Sequence, residues 1–250
     1  MIGVADPDTP ERTAELTERL AAVRGRLAAA CRSAGRDPAE VSLLAVTKTV
    51  PPADVATLID LGLTEFAENR AQELAAKVAD VAAARPGAEP RWHFVGGLQR
   101  NKVRTVLPWV TCIQSVDSPR LARAIDREVG RLRGSGERDA PLPVLVQYSV
   151  DGDPARGGVP DDGLDELADL VAELPGLELA GLMAVAPLGR EPGASFAAIA
   201  AAAGRVRERH PAARTLSAGM SGDLEIAVDH GSTVVRVGTA LVGDRRITSE

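Results

Sequence analysis

The sequence predicts a (β/α)8 barrel, and three observations carry that prediction. Short apolar runs alternate with longer amphipathic segments along nearly the whole chain of 250 residues. Eight such runs fit this length, which is typical of a closed parallel barrel. An open doubly wound sheet usually has a glycine-rich turn after its first strand, whereas this first strand ends in Thr47-Lys48-Thr49 and glycines cluster late in the chain. We therefore favour the barrel over the open sheet.

An extra helix precedes the first strand. Thr9 is a suitable N-cap and Pro10 suits the first turn. Apolar residues then recur at helical spacing at Leu16, Leu20, Val23 and Leu27. The predicted strands that follow are 41–47, 65–67, 91–96, 110–116, 143–150, 178–185, 213–219 and 233–238. The predicted helices are 53–61, 69–84, 100–107, 118–133, 161–174, 194–209 and 222–230, with a short extra helix in "ALVG" after the last strand.

The remaining segments set the domain boundaries. The glycine-rich connection 130–141 is predicted to be a mobile loop. Residues 1–8 and the last few residues are predicted to be disordered, because termini without apolar anchors are rarely ordered. The prediction is a single domain over residues 9–250.

Composition excludes several classes of function. A net charge of −6 and an aromatic content of 2% argue against nucleic-acid binding. Cys31 and Cys112 lie far apart without metal-ligand spacing, and we expect both to be packing residues of a chain in a reducing compartment. The sequence has neither a signal peptide at its start nor a long uninterrupted apolar run. We therefore expect a soluble, cytoplasmic protein without a metal site or a membrane partner.

The chemistry of a barrel of this kind lies at the carboxyl ends of its strands, and phosphate commonly binds in the loops after strands seven and eight. Ser221 and Gly222 follow predicted strand seven, and Gly238 and Thr239 follow strand eight. Either pair alone could be ordinary turn chemistry. Both loops together favour an anion site made from backbone amides and hydroxyl groups. Lys48 ends strand one, which barrel closure brings beside strand eight.

Arg236 is a charged residue within an otherwise apolar last strand. Strand alternation places it on the same face as Val234 and Gly238, which predicts that it points into the barrel. A structural arginine paired with a carboxylate remains an alternative. Pyridoxal phosphate (PLP) needs an amine for its aldehyde, a phosphate cradle and a residue opposite its ring nitrogen. Lys48, the two loops and Arg236 are candidates for these three roles.

Several long stretches carry a resemblance to one family. They are "LLAVTKTVPP", "FAENRAQE", "WHFVGGLQRNK", "LMAVAP" and "LSAGMSGDLEIAVDHGSTVVRVGTALVG", in this order between about residues 42 and 244. The chain resembles the pyridoxal phosphate homeostasis proteins, which are similar in fold to the barrel domain of bacterial alanine racemases.

The resemblance implies that Lys48 forms a reversible aldimine with PLP and that Arg236 faces the pyridine nitrogen, where it disfavours ring protonation. It implies further cofactor-binding residues at Asn69, Ser217, Met220, Ser221, Gly238 and Thr239. His93 and Phe94 would lie near the mouth, and a lone histidine on an apolar strand is more often a satisfied core residue than a proton carrier.

Three positions depart from the family pattern. Arg70 stands where a tyrosine often follows "EN", and Ser149 stands where strand five often has an asparagine. Arg156 replaces a common lysine in the following loop. An arginine keeps the charge but is a poor amine nucleophile, which puts in doubt any role for a second lysine in handing on the cofactor.

The main functional hypothesis is a PLP-binding protein that holds the cofactor and serves PLP homeostasis without strong turnover or catalytic residues of its own. PLP-dependent apoenzymes are expected recipients, and a monomer is expected. The alternative is a single-domain PLP-dependent amino-acid racemase. Alanine racemases take a second base, a tyrosine, from an additional β-domain, whereas this chain ends soon after strand eight and has one tyrosine, Tyr148. A third possibility, a barrel aldolase or phosphosugar enzyme using Lys48 as a Schiff-base lysine, needs nearby carboxylates, and Glu65 and Glu68 are expected to be solvated.

Overall fold

Eight parallel strands close into a barrel in the order β1 to β8, with β8 paired to β1. The structure is a computed structural model and describes residues 9–187 and 189–243. The strands are β1 Ser42–Val46, β2 Glu65–Glu68, β3 Arg91–Phe94, β4 Cys112–Val116, β5 Leu142–Tyr148, β6 Leu177–Ala184, β7 Thr215–Ser217 and β8 Val234–Val237. All eight predicted strands are confirmed, and the closed order excludes the open doubly wound sheet. The termini that we expected to be disordered lie outside the described residues.

Helices surround the barrel. They are α1 Pro10–Ser33, α2 Pro52–Asp60, α3 Ala71–Ala84, α4 Val103–Val106, α5 Pro119–Gly134, α6 Asp161–Glu173, α7 Pro192–Arg209, α8 Leu224–Asp229 and α9 Thr239–Val242. The α9 helix is the short extra helix that "ALVG" predicted. The prediction of a helix over 100–107 is only partly right, because α4 is one turn flanked by 3-10 turns at Arg100–Lys102 and Leu107–Trp109. The prediction of a mobile loop over 130–141 is wrong for its first five residues, because they form the last part of α5.

The strand register decides which side chains enter the barrel. Leu44 is in register with Arg236, and Val46 with Ala67, so these residues share the interior face. His93 is in register with Cys112 on the same face. The intervening residues point outward and pack against the helices in one continuous apolar core. The lower interior is filled by a small apolar group, Cys112, Leu145 and Met183.

The N-terminal helix closes the seam between the two ends of the barrel. Thr9 caps α1 by accepting a hydrogen bond from the Arg12 amide (3.3 Å), as predicted. Its apolar stripe is buried at Leu16, Leu20, Val23 and Leu27. Each such side chain contributes about 1.5–3 kcal/mol through burial. Arg12 also donates to the buried Asp54 of α2 (2.6 Å) and to the Val242 carbonyl of α9 (3.0 Å).

Both cysteines are buried free thiols, Cys31 in α1 and Cys112 in β4, which confirms them as packing residues. Burial, and then the nearby charge of Glu65, raises the pKa of Cys112 to about 12. The described part of the chain contains no helix that is both long and apolar enough to cross a bilayer.

Candidate functional site

Lys48 follows the carboxyl end of β1 at the mouth of the barrel. Val46 faces the interior, and Lys48 continues that alternation by two residues with a half-buried side chain. The next residue, Thr49, has φ 61°, a left-handed conformation that is unusual for a β-branched side chain. The Val50 amide donates to the Thr47 carbonyl (2.9 Å) and closes the turn. The backbone is therefore sharply bent where the lysine leaves it.

A buried ion pair lies behind this turn, between β2 and α3. The Lys77 ammonium donates to Glu68 Oε1 (2.7 Å) and to the Thr47 carbonyl (2.6 Å). The Thr47 hydroxyl donates to the same Glu68 oxygen (2.7 Å). We call Thr47, Glu68 and Lys77 the Lys77 cluster. It fixes the residue that immediately precedes Lys48.

The prediction that the glutamates of strand two are solvated is wrong for Glu68. Its side chain is fully buried, because it shares the outward face of β2 with Phe66 and so lies under α3. Its second oxygen, Oε2, has no hydrogen-bond partner. Glu65 is half-buried and its carboxylate contacts His93.

Asn69 lies directly after β2, beside the Lys48 turn. Its side-chain Oδ1 is buried without a hydrogen-bond partner, so it is an acceptor available to a ligand or water. The loop after β3 approaches the Asn69 backbone closely. A Cβ atom at Gly96 would overlap the Asn69 carbonyl, so this approach requires glycine.

Arg236 is buried and points into the barrel, as strand alternation predicts. Its guanidinium donates to the Ser217 carbonyl (2.7 Å), the Ser217 hydroxyl (2.8 Å) and the Ala184 carbonyl (2.8 Å). Burial lowers the pKa of Arg236 to about 10, and the charge of Asp223 opposes that shift. In the described ranges Arg236 forms no ion pair with a carboxylate. The alternative, a structural arginine paired with a carboxylate, is therefore wrong for the described residues.

The two glycine-rich loops meet beside Arg236. The Ser221 hydroxyl, after β7, accepts a hydrogen bond from the Ala240 amide at the start of α9 (3.4 Å). Gly238 caps α9, and its carbonyl accepts from the Leu241 amide (2.8 Å). The amides of Ala240 and Leu241 are thus engaged, and among the described residues the Thr239 amide, at the first position of α9, is the first-turn amide that has no acceptor and is available to an anion.

Ser217 and Met220 occupy different environments. Ser217 is fully buried beneath the mouth, where its hydroxyl donates to Gln114 Oε1 (2.7 Å) and accepts from Arg236. Met220 is among the most exposed large apolar residues described, and its amide donates to Asp223 Oδ1 (2.6 Å). Ser217 therefore supports Arg236 from below, and Met220 lies on the rim.

The three departures from the family pattern lie at or near the mouth. Arg70 is exposed and pairs with Glu73 (2.8 Å). Ser149 is buried with an unpartnered hydroxyl. Arg156 donates to the carbonyls of Val185 and Ala186 (both 3.0 Å), so its guanidinium ties the loop after β5 to the end of β6.

The predicted site residues lie on adjacent strand ends. Lys48 follows β1, Asn69 follows β2 and Ser221 follows β7. Arg236 lies near the end of β8, and Gly238 follows that strand directly. These four strands are neighbours in the barrel. Residues 9–187 and 189–243 contain no group of three or more histidine, cysteine or acidic side chains arranged to hold a metal ion. The residues that sequence reasoning missed are Lys77 and Gln114, both buried supports of predicted positions.

The chain is similar to known proteins over almost its whole length. The model of the family "Alanine racemase, N-terminal domain" matches residues 19–246. A pyridoxal phosphate homeostasis protein of Mycobacterium tuberculosis is 47% identical over 249 residues, and the match covers 96% of both chains.

Two solved structures illustrate the range of structural similarity. PipY of Synechococcus elongatus, in a structure with PLP bound, has a TM-score of 0.77 and 32% identity; the match covers 91% of this chain and all of PipY. Alanine racemase of Corynebacterium glutamicum has a TM-score of 0.65 at 16% identity, covering 95% of this chain and 62% of the racemase. At that identity the racemase shows the shared fold alone.

Proposed function

Because the chain belongs to the alanine racemase N-terminal domain family and to its pyridoxal phosphate homeostasis proteins, we propose that it binds PLP and serves PLP homeostasis. The relative named for this role aligns over almost the full chain, and PipY, similar over its full length, has been solved with PLP bound. The proposed role is to hold a reactive aldehyde rather than to turn over a substrate.

The residues at the mouth fit the chemical groups of PLP. When bound, PLP supplies an aldehyde that reacts with amines and a pyridine ring that withdraws electrons. Lys48 would hold the aldehyde covalently, and Ser221, Gly238 and Thr239 would hold the phosphate. Asn69 has an orphaned buried acceptor beside Lys48. Ser217 and Met220 complete the proposed set, Ser217 through its bond to Arg236.

Arg236 is the observation that carries the proposal. It is a buried cation without an ion pair to a carboxylate in the described residues, beside two loops suited to an anion. A buried charge without a counter-charge is costly, so an anionic ligand bound beside Arg236 would offset that cost. Guanidinium only donates hydrogen bonds. Facing the ring nitrogen, Arg236 would keep that nitrogen unprotonated, which weakens the ring as an electron sink and favours storage over turnover.

Racemisation needs a second proton carrier on the opposite side of the substrate. The only tyrosine of the sequence, Tyr148, points outward from β5, and its hydroxyl donates to Asp161 of α6 (3.2 Å). The described mouth therefore does not offer a tyrosine base, which supports the homeostasis proposal over the racemase alternative.

Reductive trapping tests the proposal. The sequence contains three lysines, Lys48, Lys77 and Lys102, so a cofactor fixed by borohydride can be assigned to one of them by mass spectrometry of peptides. We expect the purified protein with PLP to absorb in the visible range and the label to lie on Lys48. Lys48→Ala should abolish both signals, and Lys102→Ala, a matched control, should keep them. Undiminished visible absorbance in Lys48→Ala would refute the assignment of Lys48.

We also propose PLP-dependent apoenzymes as recipients of the cofactor and a monomer as the working state. The family name supports the first proposal. Loaded protein should activate an apoenzyme in the presence of a scavenger that removes free PLP, and equal suppression of protein-borne and free PLP by the scavenger would contradict transfer. Sedimentation analysis of loaded protein tests the second.

A further inference from the structure

A hydrogen-bonded chain of five side chains crosses the barrel interior below the site. Arg236 donates to the Ser217 hydroxyl (2.8 Å), which donates to Gln114 Oε1 (2.7 Å). The Gln114 amide nitrogen faces His93 Nδ1 (2.9 Å), and His93 Nε2 contacts Glu65 Oε2 (2.6 Å). The chain passes from β8 through β7, β4 and β3 to β2. It links the mouth of the barrel to its opposite end, where Arg91 pairs with Glu65 (3.2 Å).

The chemistry of the two ends gives this chain one direction. Arg236 can only donate, so the Ser217 oxygen accepts from it and the Ser217 proton is directed to the Gln114 carbonyl oxygen. The Gln114 NH2 group then faces His93 and donates to Nδ1. An ionised Glu65 only accepts, so the proton of a neutral His93 lies on Nε2. Each member thus has a fixed donor or acceptor role.

Burial fixes these donor and acceptor roles. Ser217, Gln114 and His93 are all buried, so an unmade hydrogen bond cannot be replaced by bulk water. The described titratable groups facing His93 are Glu65 from β2 and the buried Cys112 thiol from β4, with Arg91 beyond Glu65. Burial is the largest single influence and works to raise the pKa of Glu65, but the hydrogen bond from His93, the electrostatic interaction with His93 and the charge of Arg91 together outweigh it, so the pKa is lowered and the carboxylate stays ionised.

We propose that Gln114 and His93 are positioning residues, which hold the Ser217 oxygen as an obligate acceptor and so fix Arg236 against the cofactor ring. The proposal rests on the assignment of PLP to this mouth. Without the Gln114 acceptor, the Ser217 hydroxyl could rotate and turn its proton towards the guanidinium, and Arg236 would then lose one of its three acceptors. Gln114 reaches Arg236 only through Ser217, so its effect on the ligand is indirect.

Two substitutions separate positioning from packing. Gln114→Met keeps the bulk and removes the acceptor, so we expect PLP affinity to fall about tenfold. Gln114→Glu keeps an acceptor for Ser217, and its second oxygen can accept from His93 Nδ1, so we expect affinity within about threefold of the native protein. Gln147→Met, which removes an amide from β5 outside the chain, is the control and should bind within about twofold. A packing role predicts the reverse order, because methionine suits an apolar interior and a buried carboxylate does not.

A second readout uses the cofactor-free protein. Long-range 15N–1H NMR of His93 should show one ring proton on Nε2 in the native protein at neutral pH and protons on both nitrogens in Gln114→Glu. A native Nδ1 proton, or unaltered PLP affinity in Gln114→Met, would overturn the proposal. Failure of the native protein to bind PLP would instead overturn the proposed function, because the NMR result does not depend on the ligand.

Discussion

Replacement of Lys77 by methionine tests the buried cluster behind Lys48. Methionine has a similar length and no charge, so the substitution removes the cation with little loss of packing. It leaves Glu68, whose side chain is fully buried, with one hydrogen bond from the Thr47 hydroxyl and an oxygen that already lacks a partner. The Thr47 carbonyl also loses a donor at 2.6 Å.

The cost follows from these contacts. Breaking a buried ion pair by removing one partner costs about 3–5 kcal/mol, because an uncompensated charge remains. The two lost charge-assisted hydrogen bonds, at about 1.5–3 kcal/mol each, give a figure of the same size. Lys77→Met combined with Glu68→Gln should recover about half of the loss, since the neutral amide is far less costly to bury.

Urea unfolding of the cofactor-free protein, followed by circular dichroism, measures the effect. With a slope of about 3 kcal/mol per molar urea, the midpoint should fall by about 1–1.7 M in Lys77→Met. Thermal unfolding should show a loss of roughly 6–20 °C. A loss below about 1 kcal/mol, or a double variant no more stable than the single one, would refute the view that Lys77 compensates the buried side chain of Glu68.

Two further predictions concern the backbone of the site. Thr49→Asn should stabilise the protein by about 0.5–1 kcal/mol in the same urea assay, because asparagine tolerates the left-handed conformation that strains threonine; a loss of stability would contradict strain at this turn. Gly96→Ala should displace the Asn69 backbone and weaken PLP binding about tenfold or more, as fluorescence titration would measure, whereas the neighbouring Gly97→Ala, with open space around its Cβ position, should bind normally. Equal affinities of the two alanine variants would count against a close approach at Gly96.

The fold was predictable because its signal is local. Each strand is a short apolar run, and alternation within it is enough to assign faces, so Arg236 could be placed inside the barrel from the sequence alone. Strand ends were less accurate. The run predicted for β7 extends over 213–219, but the strand is only Thr215–Ser217; Ala218 and Gly219 still share backbone hydrogen bonds with β8, and the left-handed Gly219 (φ 91°) ends the extended backbone there.

The supporting residues of the site depend on contacts between elements far apart in sequence. Lys77 lies on the buried stripe of α3 with Ala71, Leu74 and Val81, so a lysine at an apolar position was a visible signal. Its partner could not be identified from the sequence, because the pairing of Lys77 with Glu68 depends on how α3 packs on β2. Gln114 likewise required the closed barrel, which alone brings β4 and β7 within hydrogen-bonding distance across the interior.

The seam between β1 and β8 has a consequence for the order of events during synthesis. Lys48 leaves the ribosome early, whereas Arg236 and the loops proposed for the phosphate follow much later, and pairing between distant strands slows the folding of such topologies. On the proposed assignment, a growing chain therefore exposes its lysine before the other groups that would hold the cofactor have been made. Capture of the ligand should then coincide with closure of the barrel, so retention of PLP would report that β1 and β8 of one molecule have paired.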